Sequence, residues 1–186
     1  LKLSNSVFGN INFNHSIIDN FFYISIDQDS QEIMAPILNQ YEGKIKYSSL
    51  KLEKSFDFGK WTLDNSIIYQ IINQNDDILN LPQFMSRNTL FFSERIFRNT
   101  LAIQTGLNFK IFSKYYANEY NPLISDFHIQ NQKKIGSFPL FDFFFNAKIR
   151  QTKIFIIAEH INSSFTGNNF YSTPESVYRD FGVRFG

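Results

Sequence analysis

The chain has 186 residues, long enough for one domain with a sizeable core. Its 18 basic and 17 acidic residues leave a formal charge of +1, so no long-range field points to nucleic acid or an acidic partner. Cysteine is absent, which excludes a disulfide framework and thiolate metal sites.

Residues Leu1 to Phe13 mostly alternate, with Leu1, Leu3, Val7, Gly9, Ile11 and Phe13 on one face and Lys2, Ser4, Ser6, Asn10 and Asn12 on the other. A period of two predicts a strand and not a helix. These first residues carry no apolar leader and already read as mid-strand, so the chain is expected to be a portion of a longer protein. An extended piece at Phe21 to Ile26 and turn residues from Asp27 to Pro36 lead to a second strand, about Gly43 to Phe56. Its apolar set starts as Ile45 and Tyr47 and then changes parity to Leu50 and Leu52, which predicts a β-bulge near Ser48-Ser49.

Phe58-Gly59-Lys60 predicts a tight turn into a strand from Trp61 to Asn73. The polar run Asn73 to Asn80 and Leu81-Pro82 interrupt the sheet before a fourth strand, Arg87 to Ile96, and the short turn Phe97-Arg98-Asn99. In the fifth strand Leu101, Ile103, Leu107, Phe109 and Ile111 alternate with Ala102, Gln104, Gly106, Asn108 and Lys110. A loop from Ser113 to Ser137 follows, longer than compact soluble domains usually carry. The sixth strand, Phe138 to Ile149, sets Phe141, Phe143, Phe145, Ala147 and Ile149 against Asp142, Asn146 and Lys148. A turn near Gln151 leads to the seventh strand, and a loop from Asn162 to Tyr178 to the last, Arg179 to Gly186.

Connections thus alternate long and short, as in outer-membrane barrels. A soluble sandwich would alternate too, with its apolar face inward. Loop asymmetry decides for the membrane barrel, as does the aromatic excess of 23 Phe and 9 Tyr against one Trp. No apolar run approaches the roughly 20 residues that a membrane helix needs. The expected fold is an all-β, antiparallel up-and-down transmembrane β-barrel. About eight of its strands are present, as part of a larger barrel.

The faces opposite the apolar ones are expected to carry Lys2, Lys44, Lys46, Asp64, Gln70, Glu94, Lys110, Asp142, Lys148 and Arg184. In a barrel these would line the lumen and set ion preference, and both signs occur, so no strong preference follows. The competing reading is the solvated face of a soluble sheet. His15, His128 and His160 lack zinc spacing, and Glu159-His160 would point to opposite faces, so no catalytic site assembles. Ser163 and Ser164 have no nucleophile motif around them, and Asn75, Asp76 and Asp77 read as a solvated loop tip rather than a calcium site. The aromatic and amide-rich segment Lys114 to Pro122 is expected to pack the loop into the barrel mouth rather than to stack on sugars or anchor a partner.

Several strings in order resemble a known family, the putative β-barrel porins of the Bacteroidota, near their C-terminal end. They are Leu63-Asp64-Asn65 with Tyr69-Gln70, Leu81-Pro82, Gln104-Thr105-Gly106, Tyr115-Tyr116-Ala117 and Tyr120-Asn121-Pro122. Phe127-His128-Ile129-Gln130-Asn131, Ile135-Gly136-Ser137-Phe138-Pro139, and Asp142 with Asn146-Ala147-Lys148-Ile149 continue the run. Glu159-His160, Gly167-Asn168-Asn169-Phe170-Tyr171 and Arg184-Phe185-Gly186 complete it. The resemblance implies that residues 1–186 are the C-terminal portion of a single outer-membrane barrel domain, with no cofactor and no catalytic residue. Members of that family continue past Arg-Phe-Gly to a final aromatic, whereas this chain stops at Gly186. The expected function is a passive channel for small solutes in a bacterial outer membrane. The alternative is a non-conducting structural barrel that binds other outer-membrane or periplasmic proteins.

Overall fold

A computed structural model describes residues 1–5, 9–26, 35–98, 100–166 and 170–186. Nine strands make one antiparallel sheet: β1 (Lys2–Asn5), β2 (Gly9–Ile18), β3 (Ile45–Phe58), β4 (Trp61–Asn73), β5 (Phe84–Ile96), β6 (Leu101–Phe112), β7 (Leu140–Ile149), β8 (Thr152–Glu159) and β9 (Gly182–Phe185). Strand order in the sheet is chain order throughout, an uninterrupted meander. All short connections lie at one end and all long ones at the other. β1 and β9 each have a sheet neighbour on one side only among the described residues.

Local chemistry accounts for the short turns. Phe58 pairs with Trp61, which leaves Gly59-Lys60 as a two-residue loop. Gly59 takes φ 68°, the left-handed conformation that the first position of a II′ hairpin turn requires. At the β7–β8 turn Arg150 takes φ 54°, and at the β5–β6 turn Phe97 and Arg98 take φ 51° and 53°.

Three expectations are corrected. Residues Leu1 to Phe13 are not one strand. They form a hairpin in which Leu3 faces Ile11 and Asn5 faces Gly9. Partners there are residues of equal parity, so alternation runs through the turn unchanged and could not reveal it. With β2 reaching Ile18, the sheet has nine strands rather than eight. There is no bulge in β3: its register to β2 and to β4 is unbroken from end to end. Ile45 and Tyr47 instead point to the polar side, where the loop residues Tyr41 and Ile78 bury Ile45 and Tyr47 donates its hydroxyl to Gln70. Finally, β5 begins at Phe84, three residues earlier than expected, because Phe84, Met85 and Ser86 pair with Tyr69, Ile68 and Ile67.

Following the register across the sheet divides the side chains in two. One face carries Leu50, Leu52, Phe56, Ile67, Leu90, Leu107, Phe143 and Ile154, and no layer of the described chain covers it: Leu50 is 38% exposed, Leu90 and Leu107 42%. Burial lies elsewhere. The hydrophobic cluster of Tyr41, Ile45 and Ile78, with Ile18, Ile72 and Ile129 packed around it, sits at the long-loop end on the polar side.

Four small hairpins order that end. They pair Phe21–Ile26 with Pro36–Tyr41, Tyr115–Tyr116 with Lys134–Ile135, Glu119–Asn121 with Asp126–His128, and Tyr171–Thr173 with Ser176–Val177. The loop after β6 binds all three others. Ile129 N–H donates to the Ile24 carbonyl (2.8 Å), Asn80 Nδ2 to Asn131 Oδ1 (3.0 Å) and Lys133 Nζ to the Pro174 carbonyl (2.6 Å).

Gly106 is where close approach matters most. It lies between Phe91 on β5 and Phe144 on β7, and a Cβ there would sit 2.3 Å from the Leu90 carbonyl oxygen and 2.7 Å from the Phe91 Cα. Backbone cannot yield as a side-chain tip can. Gly106→Val is therefore expected to destabilise the fold by about 1–3 kcal/mol. The urea midpoint of unfolding measures it, and an unchanged midpoint would refute the packing argument.

Candidate functional site

Period two puts polar residues on the sheet face opposite Leu50 and Leu90. From β1 to β9 this polar face carries Lys2, Lys51, Glu53, Asp64, Arg87, Arg95, Lys110, Asp142, Lys148, Lys153, Glu159 and Arg184, interspersed with Asn12, Thr89, Gln104, Asn108 and Asn146. Two cavities open on it. One of about 670 Å³ is lined mainly by residues such as Ser4, Asn10, Lys51, Asp64 and Arg87, and one of about 640 Å³ by Ser93, Arg95, Gln104, Asn146, Lys148 and Lys153.

The expected lining residues divide into four groups. Asp64, Lys110, Lys148 and Arg184 lie on the polar face, as does Lys2. Gln70 and Asp142 share that face but are nearly inaccessible, 4% and 6% exposed, and act as struts. Gln70 Oε1 accepts from the Tyr47 hydroxyl (2.9 Å), while its Nε2 donates to the Pro82 carbonyl (2.6 Å) and ties the β4–β5 loop down. Lys46 and Glu94 are corrections: the register puts both on the apolar face, and Glu94 is ion-paired with Lys60 of the β3–β4 turn. Lys44 precedes β3, is exposed, and lies 4.0 Å from Asp19.

Arg87, Arg95 and Lys153 are polar-face residues that sequence reasoning missed. The run Leu90-Phe91-Phe92 is apolar on both parities, so β5 carries no readable phase and Arg95 cannot be told from Glu94. Carrying the phase back from Leu101 and Ile103 through the turn, as Ile96↔Leu101 does, would have separated them.

Electrostatics differ between the two ends. At the long-loop end Lys110 Nζ reaches Asp142 Oδ2 (2.7 Å), and Arg184 is paired with Glu159. Asp142 Oδ1 also accepts the His160 backbone N–H (3.0 Å). His160 is fully buried; its Nδ1 lies 2.7 Å from the Arg179 carbonyl, so Nδ1 carries the proton, and its ring meets Phe170 edge-on at 4.6 Å. That makes it a structural plug between loop and sheet. The adjacent Glu159 is turned to the two arginines, so Glu159-His160 forms no acid–base pair. Among the described residues no three His, Asp or Glu converge on a metal position. The loop aromatics mostly pack. Tyr115 meets Phe112 edge-on at 5.9 Å and burial raises its pKa, and Lys134 Nζ sits 4.7 Å from the Tyr116 ring centroid, whereas Tyr120 and Phe127 form an exposed pair at 5.4 Å.

The apolar face has its own order. Cross-strand aromatic partners occur toward both ends, Trp61 with Phe92 (5.4 Å) by the short turns and Phe109 with Phe141 (5.0 Å) by the long loops. Along β4, the eight steps from Trp61 to Tyr69 rise about 26 Å at roughly 3.3 Å each, or about 20 Å along the axis of a barrel tilted about 40°. That approaches the roughly 25 Å apolar band of outer-membrane barrels.

A family described as "Putative porin" matches residues 1–186, and the chain belongs to that family. No curated protein and no solved structure matches it.

The Asp142 strut carries a prediction. Asp142→Ala strips a buried N–H and a lysine of their acceptor together and is expected to cost about 2–4 kcal/mol. Asp142→Asn keeps an oxygen for His160 and should cost less than half as much. Equal urea midpoints for the two variants would show that the His160 contact contributes nothing.

Proposed function

We propose that this member of the family forms part of an outer-membrane β-barrel whose polar face lines a water-filled lumen for passive diffusion of small solutes. The observation that carries the reading is the two-sidedness of the sheet. One face is polar and charged, and the other is apolar, uncovered and bordered by aromatics. Exposed to water, an apolar surface of that extent would drive association, whereas lipid makes it neutral. In a bilayer every backbone group must be paired, so the free edges of β1 and β9 require closure. Further strands, making a larger barrel of which residues 1–186 are the C-terminal portion, supply it in this reading. Outer-membrane lipid and small solutes are its partners. No step of the proposed function needs a cofactor, nucleic acid or a catalytic group.

A second reading has one observation in its favour. The long loops fold onto the polar side and bury Ile45 and Tyr41 there, tied to each other across all four connections. Loops so placed would plug the mouth and leave a structural barrel that binds outer-membrane or periplasmic proteins.

Single-channel recording of the full-length protein in planar bilayers separates the two. The channel reading expects stable openings whose conductance scales with salt. A folded, heat-modifiable barrel that never conducts would instead establish the plugged form.

A further inference from the structure

Cations on the polar face are not treated alike. Lys51, Lys110 and Arg184 each have a carboxylate, Glu53 at 2.6 Å, Asp142 at 2.7 Å and Glu159. Lys2 and Arg87, the latter directly facing Lys110, have none among the described residues, and neither have Arg95, Lys148 and Lys153. The last three share one row at the short-turn end. Arg95 faces Ala102, Ala102 faces Lys148, and Lys148 faces Lys153 directly. The small Ala102 side chain leaves the space between Arg95 and Lys148 open. The nearest acid in sequence, Glu94, is on the opposite face and is taken by Lys60.

Like charges directly opposite on neighbouring strands have Cβ atoms only about 5 Å apart and destabilise a sheet. Here no carboxylate is ion-paired with the three cations among the described residues, and the row lines the 640 Å³ cavity together with Ser93, Gln104, Asn146 and Glu94, whose carboxylate is engaged by Lys60. A local arrangement that costs stability without a structural return marks a functional position. Three convergent cations with amide and hydroxyl donors suit a soluble multivalent oxyanion, a phosphate or polycarboxylate, which several donors can grip at once.

We propose that Arg95, Lys148 and Lys153 form an anion-binding site on the polar face, at the end of the short turns. The site rests on the reading of that face as the wall of a water-filled lumen, where it would favour anionic solutes over cations.

Lysine labelling tests it without requiring conduction. The full-length protein, folded in a phosphate-free non-ionic detergent, is treated with an amine-reactive reagent with and without tripolyphosphate, and modification at each lysine is read by mass spectrometry. Saturating tripolyphosphate is expected to slow modification of Lys148 and Lys153 about fivefold while leaving the exposed Lys44 and Lys114 unchanged. Arg95→Gln, at an exposed position, should abolish most of that protection while keeping heat-modifiable mobility. Equal protection at all four lysines, or protection that survives Arg95→Gln, would overturn the site. So would protection by phosphatidylglycerol in the micelle with none from tripolyphosphate, since the row would then hold a lipid headgroup. In bilayers, a salt-gradient reversal potential that moves toward cations in Lys148→Gln/Lys153→Gln adds the transport consequence. Protection without any conductance would remove the channel and keep the site; conductance without protection would do the reverse.

Discussion

The register of the nine-stranded meander is the constraint on which everything else depends. Side chains alternate with a period of two, so a slip of one residue at any strand pair would turn that strand's apolar set inward and its charges outward. All eight strand interfaces run through at least four consecutive partners. None of the eight contains an irregularity. The short turns help hold it. Two-residue loops such as Gly59-Lys60 leave no slack, so the hairpin β3–β4 can close only as Phe58 against Trp61.

That register also creates the contrast between the two ends of the polar face. By the long loops, Arg87 apart, the charges are largely paired and built in: Asp142 is shared between Lys110 and a buried backbone N–H, and Gln70 holds Pro82. These groups lock loops onto the sheet, and the hydrophobic cluster around Ile45 packs at the same end. By the short turns, no loop reaches the face, and cations stay solvated and unpaired. The polar face is therefore packed at the long-loop end and open and basic at the short-turn end. In the proposed channel the first would limit size and the second would weigh charge.

Much of the fold could be read from local pattern, and the misreadings have one physical origin. Leu1 to Phe13 looked like a single strand because equal-parity pairing, Leu3 against Ile11, preserves alternation through a turn. Ser48-Ser49 reads as a bulge because Ile45 and Tyr47 lie on the polar side, where Ile78 and Ile129 from distant loops pack around Ile45 and Gln70 takes the Tyr47 hydroxyl. The expectation for Glu94 and Lys46 fails because strands with apolar residues on both parities carry no phase of their own. Lys110, Asp142 and Lys148 were legible because the alternating phenylalanines of β7 and the aliphatics of β6 mark their phase clearly.

By itself, then, the sequence determined where strands and turns lie, that consecutive strands pair antiparallel, and that one face is apolar and aromatic. Those properties follow from interactions between near neighbours: period two, turn residues and alternating loop length. Only the tertiary structure decided which charges neutralise one another, and that the long loops interlock over the polar face. Such choices depend on cross-strand register and on contacts such as Ile129 with Ile24, between residues more than a hundred positions apart, and no local pattern encodes them.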